Sequence, residues 1–195
     1  MTAKKESIWR LVIVLTTISL LAALALTGVY ALTKGPIEKG QKEKKDKALQ
    51  AVLPKYDGSI RDTVVIDENN EQVPVHLAIG KDGSLCGAGI ETYTLKAFAG
   101  RFDLMVGFDA EGTIVNTEVI KAAETPGLGD KINKDKSNFA EQFNGKDPKS
   151  FKLIVTKDNG DVDAITAATI SSRAYCDAVQ HAYDIFMKIK EDYNE

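Results

Sequence analysis

Apolar positions run without a charged residue from 11 to 33, then thin out and change period. As a helix this first run is about 34 Å long, enough to cross a hydrocarbon core of about 30 Å. Trp9 and Tyr30 lie near its two ends, where amphipathic rings favour a membrane interface. Residues 34–55 form an expected helical stalk, with the apolar positions gathered at Ala48, Leu49, Val52 and Leu53, and Pro54 ending it. From Ile60 onward the period falls to two. Residues 63–66 are β-branched, and residues 73–79 alternate with Val73, Val75, Leu77 and Ile79 on one face. A glycine-interrupted strand is expected at 85–93, and two further strands at 102–108 and 113–120, joined by the hairpin signal Asp109-Ala-Glu-Gly112. Residues 138–143 suggest a short helix, and residues 151–156 one more strand closed by Lys157-Asp-Asn-Gly160. The last element is a helix over 172–193, with Tyr175, Val179, Ala182, Phe186 and Ile189 at helical spacing.

Strands followed by such a helix predict an α+β fold: a single N-terminal transmembrane helix, then a small domain with an antiparallel sheet and packed helices. The expected division is residues 1–10 as an N-terminal segment, 11–33 as the membrane span, 34–55 as the stalk and 56–195 as the domain. A cleaved signal peptide is the alternative for the first segment, with Lys4, Lys5 and Arg10 ahead of the apolar run and Val29-Tyr30-Ala31 as a cleavage site. The run is longer than the roughly 7–15 residues of a signal core, which favours a retained anchor. A plain count of Lys and Arg on either side would place the domain in the cytoplasm, because Lys34, Lys39, Lys42, Lys44, Lys45 and Lys47 follow the span.

Composition narrows the chemistry. The 195 residues carry a net charge of −3, so no basic surface for nucleic acid is implied. The two cysteines, Cys86 and Cys176, form no C-x-x-C pair, which removes the ligands of a zinc ribbon or a cysteine-held iron–sulfur cluster. They are read as two free, buried thiols, with a disulfide between them as the open alternative. No P-loop, G-x-G-x-x-G or H-E-x-x-H occurs, and His76 and His181, the only histidines, read as surface residues. No metal site and no catalytic nucleophile are expected.

Two segments remain. Glu124-Thr-Pro-Gly-Leu-Gly129 follows directly on a strand, and its glycines let backbone approach a ligand closely, with Leu128 offering an apolar side chain to a flat ring. Asp163-Ala-Ile-Thr-Ala-Ala-Thr-Ile-Ser-Ser172 crowds small residues and hydroxyls against the start of the last helix, where unpaired N–H groups suit a phosphate. An ordinary connection and an ordinary N-cap by Thr169 or Ser171 are the plain alternatives.

Together the two segments resemble the FMN-binding domain shared by the G subunit of the Rnf electron-transport complex and the C subunit of the sodium-translocating NADH:quinone reductase. In that family an E-T-P-G-L-G loop precedes a D-x-x-[ST]-G-A-T-x-[ST]-S segment. Here the loop is intact and continues into Asp130-Lys-Ile132, and the second core reads Thr166-Ala-Ala-Thr169. The resemblance runs from about Tyr93 to the last helix, and the length favours the Rnf type over the quinone-reductase type.

The resemblance implies FMN joined covalently to Thr169 through a phosphoester. It places Glu124, Thr125, Gly127, Leu128 and Gly129 along the flavin, and Thr166, Ala168, Ile170 and Ser171 around its phosphate. It implies an electron carrier in an ion-translocating ferredoxin:NAD oxidoreductase (Rnf) of the cell membrane, with the flavin domain on the extracytoplasmic side. The implied partners are the other Rnf subunits and an FMN transferase that draws on FAD. Those subunits are the membrane-bound D protein with its own flavin, the iron–sulfur membrane proteins A and E, and the peripheral proteins B and C. Two departures stand out: Ala167 replaces the usual glycine, and Lys96-Ala-Phe-Ala-Gly-Arg-Phe102 replaces a Tyr-Gly-Gly type stretch. A flavoprotein of the quinone-reductase type, a tethered non-redox binding module and a structural subunit without flavin are the rival expectations.

Overall fold

The computed structural model describes residues 8–194. Lys4 and Lys5, and with them most of the expected segment 1–10, lie outside the described residues. The chain divides into two units, one ending at Glu43 and the other beginning at Lys44. In the first, helix α1 (Ile8–Val52) starts, and every described residue up to Glu43 is exposed. This helix is long and apolar enough to cross a membrane. Pro36 lies inside it, and the same helix runs on through most of the residues expected as a stalk.

The second unit is built on five antiparallel strands, β1 (Ser59–Ile66), β2 (Gln72–Ile79), β3 (Leu85–Ala97), β4 (Gly100–Asp109) and β5 (Ile114–Lys121), in that order across one sheet. Each consecutive pair is a hairpin, so every connection is short. The alternation read from Val73, Val75, Leu77 and Ile79 is the face that packs on the last helix, α2 (Thr169–Asn194). Tyr175, Val179, Ala182, Phe186 and Ile189 form the buried stripe of α2. Tyr175 is wholly buried and clustered with Phe102, Phe139 and Phe143. Its hydroxyl donates to Thr117 Oγ at 2.7 Å, which satisfies the only polar atom of that side chain.

The opposite face of the sheet receives the end of α1. Ala48 and Val52 are buried against Met105 and Ile120. They reach the sheet because Gly89 of β3 and Gly107 of β4, direct cross-strand partners, leave a bare trough. A Cβ on Gly107 would stand 1.8 Å from the Val52 carbonyl oxygen, and one on Gly89 2.8 Å from Leu49 Cδ1.

Three elements differ from the sequence-based expectation. Residues 151–156 do not join the sheet. Leu153 and Val155 are buried, which produced the strand-like pattern, but the backbone bonds locally. Thr156 N–H donates to Val162 O and Val162 N–H to Ile154 O, leaving one isolated bridge and a single 3-10 turn, Thr156–Asp158. The short helix after Asn138 is a 3-10 helix, Phe139–Phe143. Helix α2 begins at Thr169 rather than 172, because the Ala168 carbonyl already accepts the Ser172 N–H at 3.0 Å.

Cys86 and Cys176 are free thiols, and burial pushes the Cys176 thiol up to about 12. The histidines are less exposed than expected. His181 lies between Thr92 Oγ at 2.9 Å and Asp67 Oδ2 at 3.4 Å. His76 meets Glu91 Oε1 at 3.4 Å and Asp62 Oδ1 at 2.7 Å, and Lys45 of α1 joins the same cluster, 2.5 Å from Glu91 Oε2.

The hydrogen bond that the His76 ring donates to Glu91, with the one to Asp62, raises His76 above its ordinary value of 6.5. Folded His76 therefore binds its proton more tightly than the unfolded chain does. Its stabilisation is complete below 6.5 and is lost as pH rises through the higher folded value. Urea unfolding in detergent should show His76→Gln less stable than wild type at about pH 6, with the gap narrowing by about pH 9. A gap constant over that range would remove the ion pairs as its source.

Candidate functional site

The strand-to-helix loop after β5 and the start of α2 meet across one cavity of about 330 Å³. Its lining includes Glu124, Thr125, Leu128, Gly129, Ala168, Thr169, Ile170 and Ser171, eight of the ten residues picked out from sequence. Gly127 is not on the wall; with φ of 76° it makes the turn that presents Leu128. Thr166 faces a neighbouring cavity lined by Ser137, Gln142 and Asp163 instead. Two residues join that were not picked out. Ala167 contributes to the wall, and Phe98, in the tight turn between β3 and β4, brings an aromatic ring that is 67% exposed.

Glu124 fastens these segments together. Its side chain is buried, and both oxygens are engaged: Oε1 accepts the Ala99 N–H at 3.0 Å and Oε2 accepts the Ser171 hydroxyl at 2.5 Å. The carboxylate thus ties the β3–β4 turn, and Phe98 with it, to the first turn of α2. Gly129 makes this possible, since a Cβ there would stand 2.3 Å from Glu124 Oε2 and 2.6 Å from Ser171 Oγ. Ser171 is likewise buried, and its hydroxyl proton is committed to Glu124.

The backbone turns into α2 through Ala167, whose φ is 64°. Left-handed backbone costs an alanine roughly 1 kcal/mol, which explains why glycine suits this position better. Two bonds hold the turn: Ala168 N–H to Ile165 O at 3.0 Å, and Ile165 N–H to the buried Ser172 Oγ at 2.9 Å. Thr169 follows as the first helical residue, half-buried at the cavity edge. The N–H groups of a helix's first turn have no intrahelical acceptor, so those at Thr169 and Ile170 suit an anion.

Beside Thr169 lies a second grip from the 3-10 turn Thr156–Asp158. Lys157 Nζ donates to Thr169 Oγ at 3.1 Å. Asp158 pairs with Arg173 through two contacts of 2.6 and 2.9 Å, and Arg173 holds the Asp158 carboxyl below its usual range.

A hydroxyl at a helix N-terminus beside an apolar wall of Phe98, Leu128 and Ile170 suits a ligand with a phosphate at one end and a flat ring at the other. The family model for the FMN-binding domain matches residues 98–184, a span that contains every one of these groups. The G subunit of the ion-translocating oxidoreductase complex of Aliivibrio fischeri is 32% identical over 98% of this chain and 93% of its own length. The chain belongs to the G-subunit family of ion-translocating oxidoreductase complexes. The G subunit of Shewanella amazonensis is 32% identical over 90% of this chain and 86% of that protein, and that of Erwinia tasmaniensis 34% over 84% of each. The crystal structure of Shewanella oneidensis NqrC has the same fold, with a TM-score of 0.50, 19% identity, and coverage of 67% of this chain and 70% of that one.

Of the site residues, Phe98 carried a faint signal, an aromatic ring in a hairpin turn just ahead of Gly100. Lys157 carried none beyond its place in a turn. Two substitutions test how this member of the G-subunit family builds its site. Ser171→Ala should destabilise the domain by about 1–3 kcal/mol in chemical unfolding, because it leaves a buried carboxylate oxygen short of a donor. Ala167→Gly should raise stability by up to about 0.5 kcal/mol, the relief of left-handed strain less the extra freedom of unfolded glycine.

Proposed function

We propose that this G-type protein is a covalent-flavin electron carrier, with FMN esterified through its phosphate to Thr169 Oγ. The observation that carries the proposal is the position of that hydroxyl. It belongs to the first residue of α2, at the edge of the cavity walled by the loop 124–129, with open amides on one side and apolar side chains on the other. When bound, FMN would supply the redox chemistry, one electron or two at a time.

The chain's own residues supply position and environment. The Thr169 and Ile170 amides would meet the phosphate. Leu128, Phe98 and Ile170 would pack on the ring and keep water from part of it. Glu124, with both oxygens already bonded, would act on the flavin by holding these walls at a fixed separation and by placing its charge behind them. Thr169 has no histidine near it in sequence, which argues for an external FMN transferase as the agent of attachment, with FAD as donor.

The carrier would work within an ion-translocating ferredoxin:NAD oxidoreductase in the cell membrane. Its neighbours there would be the flavin-bearing D protein, the iron–sulfur proteins A and E and the peripheral proteins B and C of the Rnf complex. Helix α1 would tether it, with the flavin domain on the extracytoplasmic side. A tether and a covalent bond together suit a carrier that must never lose its cofactor on a membrane surface.

The test is intact mass with peptide mapping, on protein made alongside its transferase. The expected product is heavier by one FMN less a water, mapped to Thr169, and fluorescent after denaturation. Thr169→Ala should lose both mass and fluorescence. A wild-type chain with the mass of its amino acids alone, or an unchanged adduct in Thr169→Ala, would defeat the proposal.

A further inference from the structure

Lys157 lies off the walls of the flavin cavity, yet its Nζ is within hydrogen-bond reach of the one oxygen proposed to carry the cofactor, 3.1 Å from Thr169 Oγ. A lysine on a loop would ordinarily wave in solvent, and ordering one costs side-chain entropy. Here the loop is pinned. Thr156 N–H donates to Val162 O at 2.8 Å, and Gly160 packs so closely on Ile154 that a Cβ would lie 1.9 Å from its carbonyl oxygen. The next residue completes the arrangement. Asp158 makes a two-point contact with Arg173, one helical turn beyond Thr169. Adjacent residues 157 and 158 therefore grip residues 169 and 173 of α2, like two rungs of one ladder.

The charges on the two rungs differ. Asp158 spends its hydrogen bonds on Arg173, and Lys157 adds only a weaker through-space attraction to that carboxylate. The hydrogen bond of Lys157 itself goes to a neutral hydroxyl. A threonine joined to FMN becomes a phosphodiester, with one negative charge shared by two non-bridging oxygens. Helix amides offer such a group a partial charge only, while an ammonium offers a full one.

We infer that Lys157 is the counter-cation of the Thr169 phosphodiester, held in register by the Asp158–Arg173 pair, and that it positions the Thr169 hydroxyl for attachment. This rests on the reading of Thr169 as the flavin acceptor. In the attachment step Thr169 Oγ forms its bond to the flavin-side phosphorus of FAD and the phosphoanhydride bond breaks. AMP leaves with that bond's electron pair, and the hydroxyl proton passes to a base of the transferase. Lys157 fixes the oxygen beforehand and neutralises negative charge that gathers beside it.

The experiment follows flavin attachment to the full-length chain in detergent, with a transferase and FAD, by intact mass against time. Lys157→Gln and Lys157→Met should load about ten-fold more slowly, the size of one charge-assisted hydrogen bond, while Lys157→Arg keeps most of the rate. The thermal midpoint of the unloaded protein should not move in any of the three. The gap between wild type and Lys157→Gln should shrink as salt is raised, since an exposed charge is screened. Loading of either uncharged variant at the wild-type rate overturns the role of Lys157 and leaves Thr169 as acceptor untouched. Equal slowing in Lys157→Arg assigns the loss to packing and overturns it too. A wild-type chain that takes no flavin at Thr169 overturns the underlying reading itself.

Discussion

Glu124 sits buried with an amide hydrogen from Ala99 on one oxygen and the Ser171 hydroxyl on the other. A carboxylate removed from water is costly unless its lone pairs are met, so the three segments it touches are held together by the penalty of parting them. Those segments are a hairpin turn, a strand-to-helix loop and the first turn of α2. None is near another in sequence, and the cavity is the space left between them. The hydroxyl of Thr169 and the ring of Phe98 border the same space because both are fastened to this single group.

The start of α2 is fixed from several directions. Ala167 reverses the backbone, Ser172 accepts the Ile165 amide, Glu124 holds Ser171, and the Asp158–Arg173 pair ties down the following turn. These restraints bracket residues 167–173 and hold still the helix start that carries the proposed flavin acceptor. They also explain how an alanine persists in a left-handed position: its strain of roughly 1 kcal/mol is spread over neighbours that would lose more by relaxing.

Much of the architecture could be read from the chain alone, and the reasons are local. The apolar helix near the start of the chain announces itself by length and polarity. Strand β2 and helix α2 each bury mainly one face, so their periods are visible residue by residue, while β4, covered on both faces, shows as a continuous apolar run. Residues 151–156 show where that logic fails: Leu153 and Val155 alternate toward the core, but burial of side chains does not say where the backbone finds its partners. The two signature segments located most of the cavity because they lie within continuous stretches. Phe98 lies in the stretch 96–102, which the resemblance had already tied to one wall of the site, and Lys157 read only as a turn residue, because which side chain of a loop turns toward the cavity is set by the fold rather than by spacing. Nor does spacing reveal that Glu124, which lines the cavity, also fastens its walls, or that Thr166 turns to the adjoining cavity.

The bare trough at Gly89 and Gly107 has a practical consequence for anyone wishing to excise the soluble part. The last turns of α1 complete the sheet's second face by covering Met105 and Ile120, and Val52 alone hides a side chain whose burial is worth about 1.5–3 kcal/mol. A fragment cut cleanly after Pro54 would leave that face greasy and its two glycines flanked by empty space, a surface inclined to clump. Keeping a short helical overhang from Lys44 onward would carry the protein's own cover along with it, with only a few exposed lysines added.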